Sequence, residues 1–360
     1  MDELRPAVIA ILLGAGFAVL LFVPFVALSY RRRGGLTAWR VLGWLALLVY
    51  LFAVMAYTLV PFPDSDDFTC RAAILNPLAD VRDVLRYADR GDGVVQNPAV
   101  QQLALNVALF VPWGFLLRAM FRRGILIATI SGFGLSLLVE TTQLTGVWGL
   151  YPCAYRFFDV GDLITNTTGA ALGSAAAAIV LLRRRPAEID PARPRPVTAA
   201  RRLTGMTVDW LFVVLATGSV STAVNLAVVL AGESVDAIDS AAVDLGSTAA
   251  AFVAELVVVL ASGSTIGEHC VLLRGVDERM PRLTGRGIRF LAGIGGYLLL
   301  SSLAAWGPAG FGVLPPVFLV LSAVFVFTTR GRRGLASLAG GMGLRDARVA
   351  VPELTQPTGG

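Results

Sequence analysis

Nine apolar stretches, most of them about twenty residues long, constrain this chain more than any other feature. They run over residues 7–29, 41–62, 102–121, 124–142, 162–182, 207–231, 245–262, 287–306 and 312–329. A helix needs roughly 20 apolar residues to cross about 30 Å of hydrocarbon. Inside lipid a helix is the simplest backbone that satisfies its own hydrogen bonds. The pattern therefore predicts an all-α fold, a polytopic integral membrane helical bundle of about nine transmembrane helices. Composition agrees: of 360 residues, 56% are hydrophobic and only 15% charged, where a soluble domain carries roughly 25%. Mean hydropathy is +0.71. The third and fourth runs are joined by Arg122-Arg123-Gly124 alone, and Pro315-Pro316 leaves the helix count at 307–329 open.

The charges orient the runs. All 30 basic residues are arginine, and they cluster at Arg31–Arg33 with Arg40, at Arg122 and Arg123, at Arg183–Arg185, and at Arg330, Arg332 and Arg333. Basic clusters mark cytoplasmic loops. Strict alternation puts every cluster inside, with the N-terminus outside and the C-terminus cytoplasmic. Loops 63–101 (with Asp64, Asp66 and Asp67), 143–161 and 232–244 then fall outside. The first run, Ala7 to Tyr30, is too long for a signal-peptide core and is expected to stay as an anchor. No basic face interleaved with aromatics is visible, so nucleic acid is not an expected partner. Membrane lipids are.

A Pro/Arg-rich linker at 186–200 divides the chain into a five-helix domain, 1–185, and a four-helix domain, 201–345, followed by a flexible tail, 346–360. Cys70 and Cys153 both fall in outer loops and form a candidate disulfide, since oxidising compartments permit one. Cys270 falls in an inner loop.

Ionisable residues inside transmembrane segments are costly and are functional candidates. The first half gathers a set at one depth. Asn106 lies near the outer end of the third helix. Glu140 and Gln143 share a face at the outer end of the fourth. Arg156, Asp159, Asp162 and Asn166 follow, the last three on one helical face. Two readings stay open: an ion-pair network locking helix ends, or an outward polar pocket for a lipid headgroup or other polar ligand. Three carboxylates against one arginine exceed what pairing requires. The surplus fits a protonated acid or a bound divalent cation such as Mg²⁺ or Ca²⁺. No spacing is metal-specific, and no other cofactor is evident.

These residues carry a resemblance. Asn106-Val-Ala-Leu-Phe110-Val-Pro112-Trp-Gly114-Phe-Leu-Leu117 resembles the first conserved block of VanZ-like proteins. Glu140-x-x-Gln143 and Arg156-x-x-Asp159-x-x-Asp162-x-x-x-Asn166-x-x-Gly169-x-x-x-Gly173 resemble the second. Thr58-Leu-Val-Pro61 and Leu75-Asn76-Pro77 are similar to looser segments of the family. The resemblance covers roughly 45–182. It implies a multi-pass protein of the bacterial plasma membrane and a role in teicoplanin-type glycopeptide resistance, with an envelope lipid or glycopeptide as ligand. It implies no particular reaction. Gly169 and Gly173 also form a small-xxx-small pair suited to close helix packing.

In the second half, Arg202-Leu-Thr-Gly-Met-Thr-Val-Asp209, the loop Gly263-Ser-Thr265-Ile-Gly267-Glu268, and Arg286 with Arg289 resemble an RDD-type membrane domain over about 200–345. Glu268 stands where that family usually carries lysine. Asn225 and Glu255 lie deep in their helices. With Arg202, Asp209 and Arg289 they form either a helix-pairing device or a proton or cation pathway. His269, the single histidine, reads as loop surface, in the inner loop beside Cys270. Residues 268–284 read as an amphipathic segment on the inner leaflet, and the Gly-rich stretch near Gly340 as flexible. Three functions compete: an envelope protein binding a lipid or glycopeptide, a membrane enzyme using Glu140, Asp159 and Asp162, and a transporter using Glu255 and Asn225.

Overall fold

The computed structural model describes residues 5–59, 63, 68–89, 93–181, 190–234, 239–277, 279–308 and 310–349. Pro61, Asp64, Asp66, Asp67, Arg183–Arg185, the start of the linker and the tail beyond Val349 lie outside the described residues. In chain order the helices are α1 (Arg5–Leu20), α2 (Phe22–Arg33), α3 (Ala38–Leu59), α4 (Ala79–Asp89), α5 (Pro98–Phe121), α6 (Ile125–Leu144), α7 (Val160–Leu181), α8 (Ala199–Leu230), α9 (Ser240–Ser262), α10 (Ile266–Cys270), α11 (Arg282–Leu291), α12 (Ile294–Trp306), α13 (Leu314–Thr328) and α14 (Gly334–Ala339). Four short strands accompany them: β1 (Ala73–Ile74), β2 (Phe158–Asp159), β3 (Leu273–Asp277) and β4 (Met342–Asp346).

Seven helical stretches among the described residues are individually long and apolar enough to cross a membrane. Two bent pairs raise the number to as many as nine. The first pair is the run predicted at 7–29, which breaks at Leu21 between α1 and α2. Pro24 explains the break, because its ring collides with the carbonyl four residues back and it has no N–H to continue the ladder. The second pair, α11 and α12, bends by 40° at Ala292-Gly293. Pro315 and Pro316 do not interrupt α13. They occupy its first turn, where the missing N–H groups would have no helical partner anyway.

By its contacts the chain forms two compact units: residues 1–18 with 37–187, and residues 19–36 with 188–360. The segment 19–36 thus packs with the second half, although the linker at 186–200 separates it from that half in sequence.

In the first unit, α5 and α7 make the closest helix contact, and glycine permits it. A Cβ on Gly169 would stand 2.1 Å from the carbonyl oxygen of Val107, one on Gly173 1.9 Å from that of Val111, and one on Gly114 1.8 Å from that of Ala170. Any side chain there would drive the helices apart. At one end of these helices β1 pairs in parallel with β2, Ala73 opposite Phe158 and Ile74 opposite Asp159. The Arg71 N–H donates to the Ala154 carbonyl at 2.8 Å, and a disulfide joins Cys70 to Cys153. These ties hold two distant loops together.

The second unit centres on Val26, Tyr30, Val208, Val271 and Leu273. Its antiparallel ribbon pairs β3 with β4, from Leu273 opposite Asp346 to Asp277 opposite Met342. This corrects the reading of the Gly340 region as flexible. The Met342 side chain is buried, and Asp346 is held by Arg201 at 2.7 Å and by Arg348 at 2.7 Å. It also corrects the reading of 268–284 as one amphipathic segment, since a short helix, a strand and the start of α11 divide it.

Candidate functional site

Close contact between α5 and α7 brings Asn106 onto Asp162, whose Oδ1 accepts from the Asn106 Nδ2. From α6, Glu140 reaches the start of β2–α7, and its Oε2 accepts from the Asp159 N–H at 2.9 Å. Asp159 turns its own carboxylate onto the first turn of α7, accepting from the Gly161 N–H at 2.7 Å, as a helix-capping residue does. One turn deeper, the Asn166 Nδ2 donates to Ser136 Oγ at 2.9 Å while its Oδ1 is buried without a partner. Gln143 ties α6 to the end of α3, donating to the Thr58 carbonyl at 2.8 Å. Tyr155 donates to the Leu59 carbonyl at 2.7 Å. Arg156 is half-buried in the loop just before β2.

A fourth carboxylate joins this cluster that sequence reasoning did not select. Asp80, in the first turn of α4, sits so close to Gly161 that a Cβ there would be 1.9 Å from its Oδ2 and 3.1 Å from Asp159 Oδ1. The β1–β2 pairing explains the convergence, because β1 leads into α4 and β2 into α7. Burial, then the charges of Asp159 and Asp83, keep the Asp80 carboxyl above the ordinary carboxylate range. No spacing links Asp80 to residues 140–166, so nothing in the sequence could have placed it there. Glu140, Asp159 and Asn166 are buried, while Asp80, Asn106 and Asp162 are half-buried above them. Among the described residues no group of three or more His, Cys, Asp or Glu side chains is placed to hold a metal ion. What the site offers is a set of converging carboxyl groups able to accept hydrogen bonds.

The second unit holds another buried polar network. Glu268, in α10, accepts from both Arg202 and Arg289. Its own side chain and Thr265 form a reciprocal cap on α10. Asp209 accepts from the Thr265 hydroxyl at 2.7 Å and from the Gly267 N–H. Glu255 accepts from the Ile266 N–H at 3.4 Å, leaving its Oε1 buried and unpartnered. Only glycine fits at 267, where a Cβ would lie 2.0 Å from the Gly205 carbonyl oxygen. Burial pushes the Glu268 carboxyl up, but Arg289 and then Arg202 outweigh it and hold it below the ordinary range. A cavity of about 80 Å³ opens beside Arg202, Asp209, Glu268 and Arg289, walled by Trp210 and Tyr297. The sequence presents Glu268 only as the end of a loop segment; the Thr265-x-x-Glu268 capping spacing is the signal for its inward position. Asn225 does not join the network. It lies sixteen residues beyond Asp209 on α8, roughly 24 Å along the axis. His269 is exposed, with Nε2 2.9 Å from Ser262 Oγ.

Helices of spanning length turn Leu126, Ile130, Ile179 and Val320 outward and bury Glu140, Asp209 and Glu255. That inversion, with polar groups satisfied inside and aliphatic ones exposed, defines a multi-pass membrane protein. Residues 44–182 match the model of the family described as VanZ/LLP1. This segment, a VanZ-like domain, contains every member of the first polar cluster. No curated protein matches the chain, and no solved structure does.

Proposed function

We propose that the VanZ-like domain is an envelope protein whose Asp80–Glu140–Asp159–Asp162 cluster binds the polar, cation-bearing part of an envelope lipid or glycopeptide, contributing to teicoplanin-type resistance. The observation that carries this reading is the convergence of four carboxylates from α4, α6, β2 and α7, with half-buried Asp80, Asp162 and Asn106 as the accessible members. Each carboxylate accepts hydrogen bonds, and an ammonium or amide group supplies the complementary donors. The cluster lies beside the Cys70–Cys153 disulfide, which favours the oxidising, outer side of a bacterial plasma membrane. On this reading the N-terminus is out and the C-terminus in. Binding is preferred to catalysis because Asp159 and Glu140 already hold backbone N–H groups.

Teicoplanin susceptibility and membrane-lipid composition, measured in cells expressing Glu140→Gln, Asp80→Asn and Asp162→Asn at wild-type levels, test the proposal. Loss of protection in the Asp80 and Asp162 variants supports it. Wild-type behaviour in all three removes the site from function. A second reading, transport by an RDD-like second unit, is favoured by the unpartnered Glu255 Oε1 near Asp209. It predicts that Glu255→Gln abolishes activity while the three substitutions in the first unit leave it intact.

A further inference from the structure

The ribbon β3–β4 places Arg274 directly opposite Arg345. Residues directly opposed on an antiparallel pair have Cβ atoms about 5 Å apart, and like charges there repel. Both arginines are exposed, and among the described residues neither has a carboxylate partner. The two acids within the paired strands, among the described residues, are already engaged. Asp346 is buried and accepts from Arg201, Arg348 and the Arg195 N–H. Asp277 pairs with Arg286 at 2.9 Å and lies 4.0 Å from Arg282. Arg274, Arg345, Arg282 and Arg286 line a single cavity of about 620 Å³ between the ribbon and the start of α11.

Helix α11 shows where this cavity lies. It buries Arg286, Arg289 and Phe290 and exposes Leu283 and Leu291. A helix that hides two of its three arginines, leaves Arg282 at the cavity edge and turns leucines outward has an apolar medium on its outer side, as at the boundary between headgroups and acyl chains.

We infer that the cavity formed by β3, β4 and α11 is a phosphate-binding site for an anionic lipid headgroup, with Arg274 and Arg345 as the primary donors and Arg282 at its edge. Two arginines opposed across a ribbon present paired guanidinium forks that a phosphodiester bridges, converting repulsion into charge-assisted hydrogen bonds. The volume admits a whole headgroup. The inference concerns the second unit alone and does not depend on the proposed role of the first.

The test uses the full chain in neutral detergent, stripped of lipid and titrated separately with phosphatidylglycerol, phosphatidylcholine and inorganic phosphate. Lipid retention is read by native mass spectrometry and ligand-dependent stabilisation by the thermal midpoint. Phosphatidylglycerol is expected to be retained and to raise the midpoint, and phosphatidylcholine is not. Arg274→Gln/Arg345→Gln, whose sites are exposed, should weaken retention by roughly tenfold or more while the lipid-free midpoint holds or rises, because the opposed charges no longer repel. The corresponding double lysine variant should keep most of the binding. Arg282→Gln, on a separate element, should weaken it to a smaller degree. Stabilisation by millimolar inorganic phosphate, lost in the double glutamine variant, supports the same phosphate chemistry with a free anion as its source. Equal retention of both lipids, or undiminished retention in the double glutamine variant, overturns the inference.

Discussion

Glu268 and Asp80 illustrate opposite consequences of burying a carboxylate. Glu268 compensates two buried guanidinium groups, and removing one partner of such a set leaves charge stranded in a low-dielectric interior. Glu268→Gln is expected to cost about 3–5 kcal/mol, read as a large drop in the thermal midpoint of the purified protein; a midpoint within a degree of wild type would contradict this. Burial, and then the charges of Asp159 and Asp83, hold the Asp80 carboxyl above its ordinary value of 3.8. A group whose folded pKa is raised favours the folded state at low pH and penalises it as pH rises through that value. Asp80→Asn should therefore be more stable than wild type at neutral pH, with the difference closing as pH falls toward 3.8. Midpoints measured across that pH range give the sign, and if the variant loses ligand while gaining stability, the crowding serves function. At this scale the sequence was informative where residues share a helix face, as with Glu140 and Gln143, or a capping spacing. It was silent on Asp80, whose place depends on a two-residue strand pairing formed with a loop more than eighty residues away.

Among the elements, α5 and α7 set the geometry of the first cluster. Their carbonyls meet where Gly114, Gly169 and Gly173 leave room, and the same approach carries Asn106 to Asp162. Gly173→Val is expected to destabilise the domain by roughly 1–3 kcal/mol and to abolish protection without touching a polar residue. Gly134→Val is the matched control, since nothing lies within 4 Å of a Cβ at that position, and it should express and melt like wild type. The Gly-xxx-Gly spacing and the apolar periods made these helices legible. The ribbon was not legible, because its strands lie far apart in sequence and each is five residues long within Gly-rich surroundings. Breaks in the helices were not legible: Pro24 divides the run read as one span at 7–29, whereas Pro315 and Pro316 fall in a first turn and divide nothing.

For the molecule as a whole, hydropathy announced a lipid-embedded bundle, but the number of crossings rests on whether each bent pair traverses once. Thiol accessibility addresses the proposed orientation. A membrane-impermeant maleimide applied to intact cells should label Cys70 and Cys153 only after reduction, and Cys270 only after permeabilisation. Labelling of Cys270 in intact cells would reverse the orientation. The Cys70–Cys153 link has a further consequence for how the protein matures. Its two halves lie 83 residues apart, so the ribosome delivers the first well before α5 and α6 have been synthesised and the second only after both. The carboxylate cluster is therefore a late product of biogenesis, sealed once two separately delivered loops meet. In cells lacking thiol oxidases the helices would insert on schedule while the site they frame stayed unsealed.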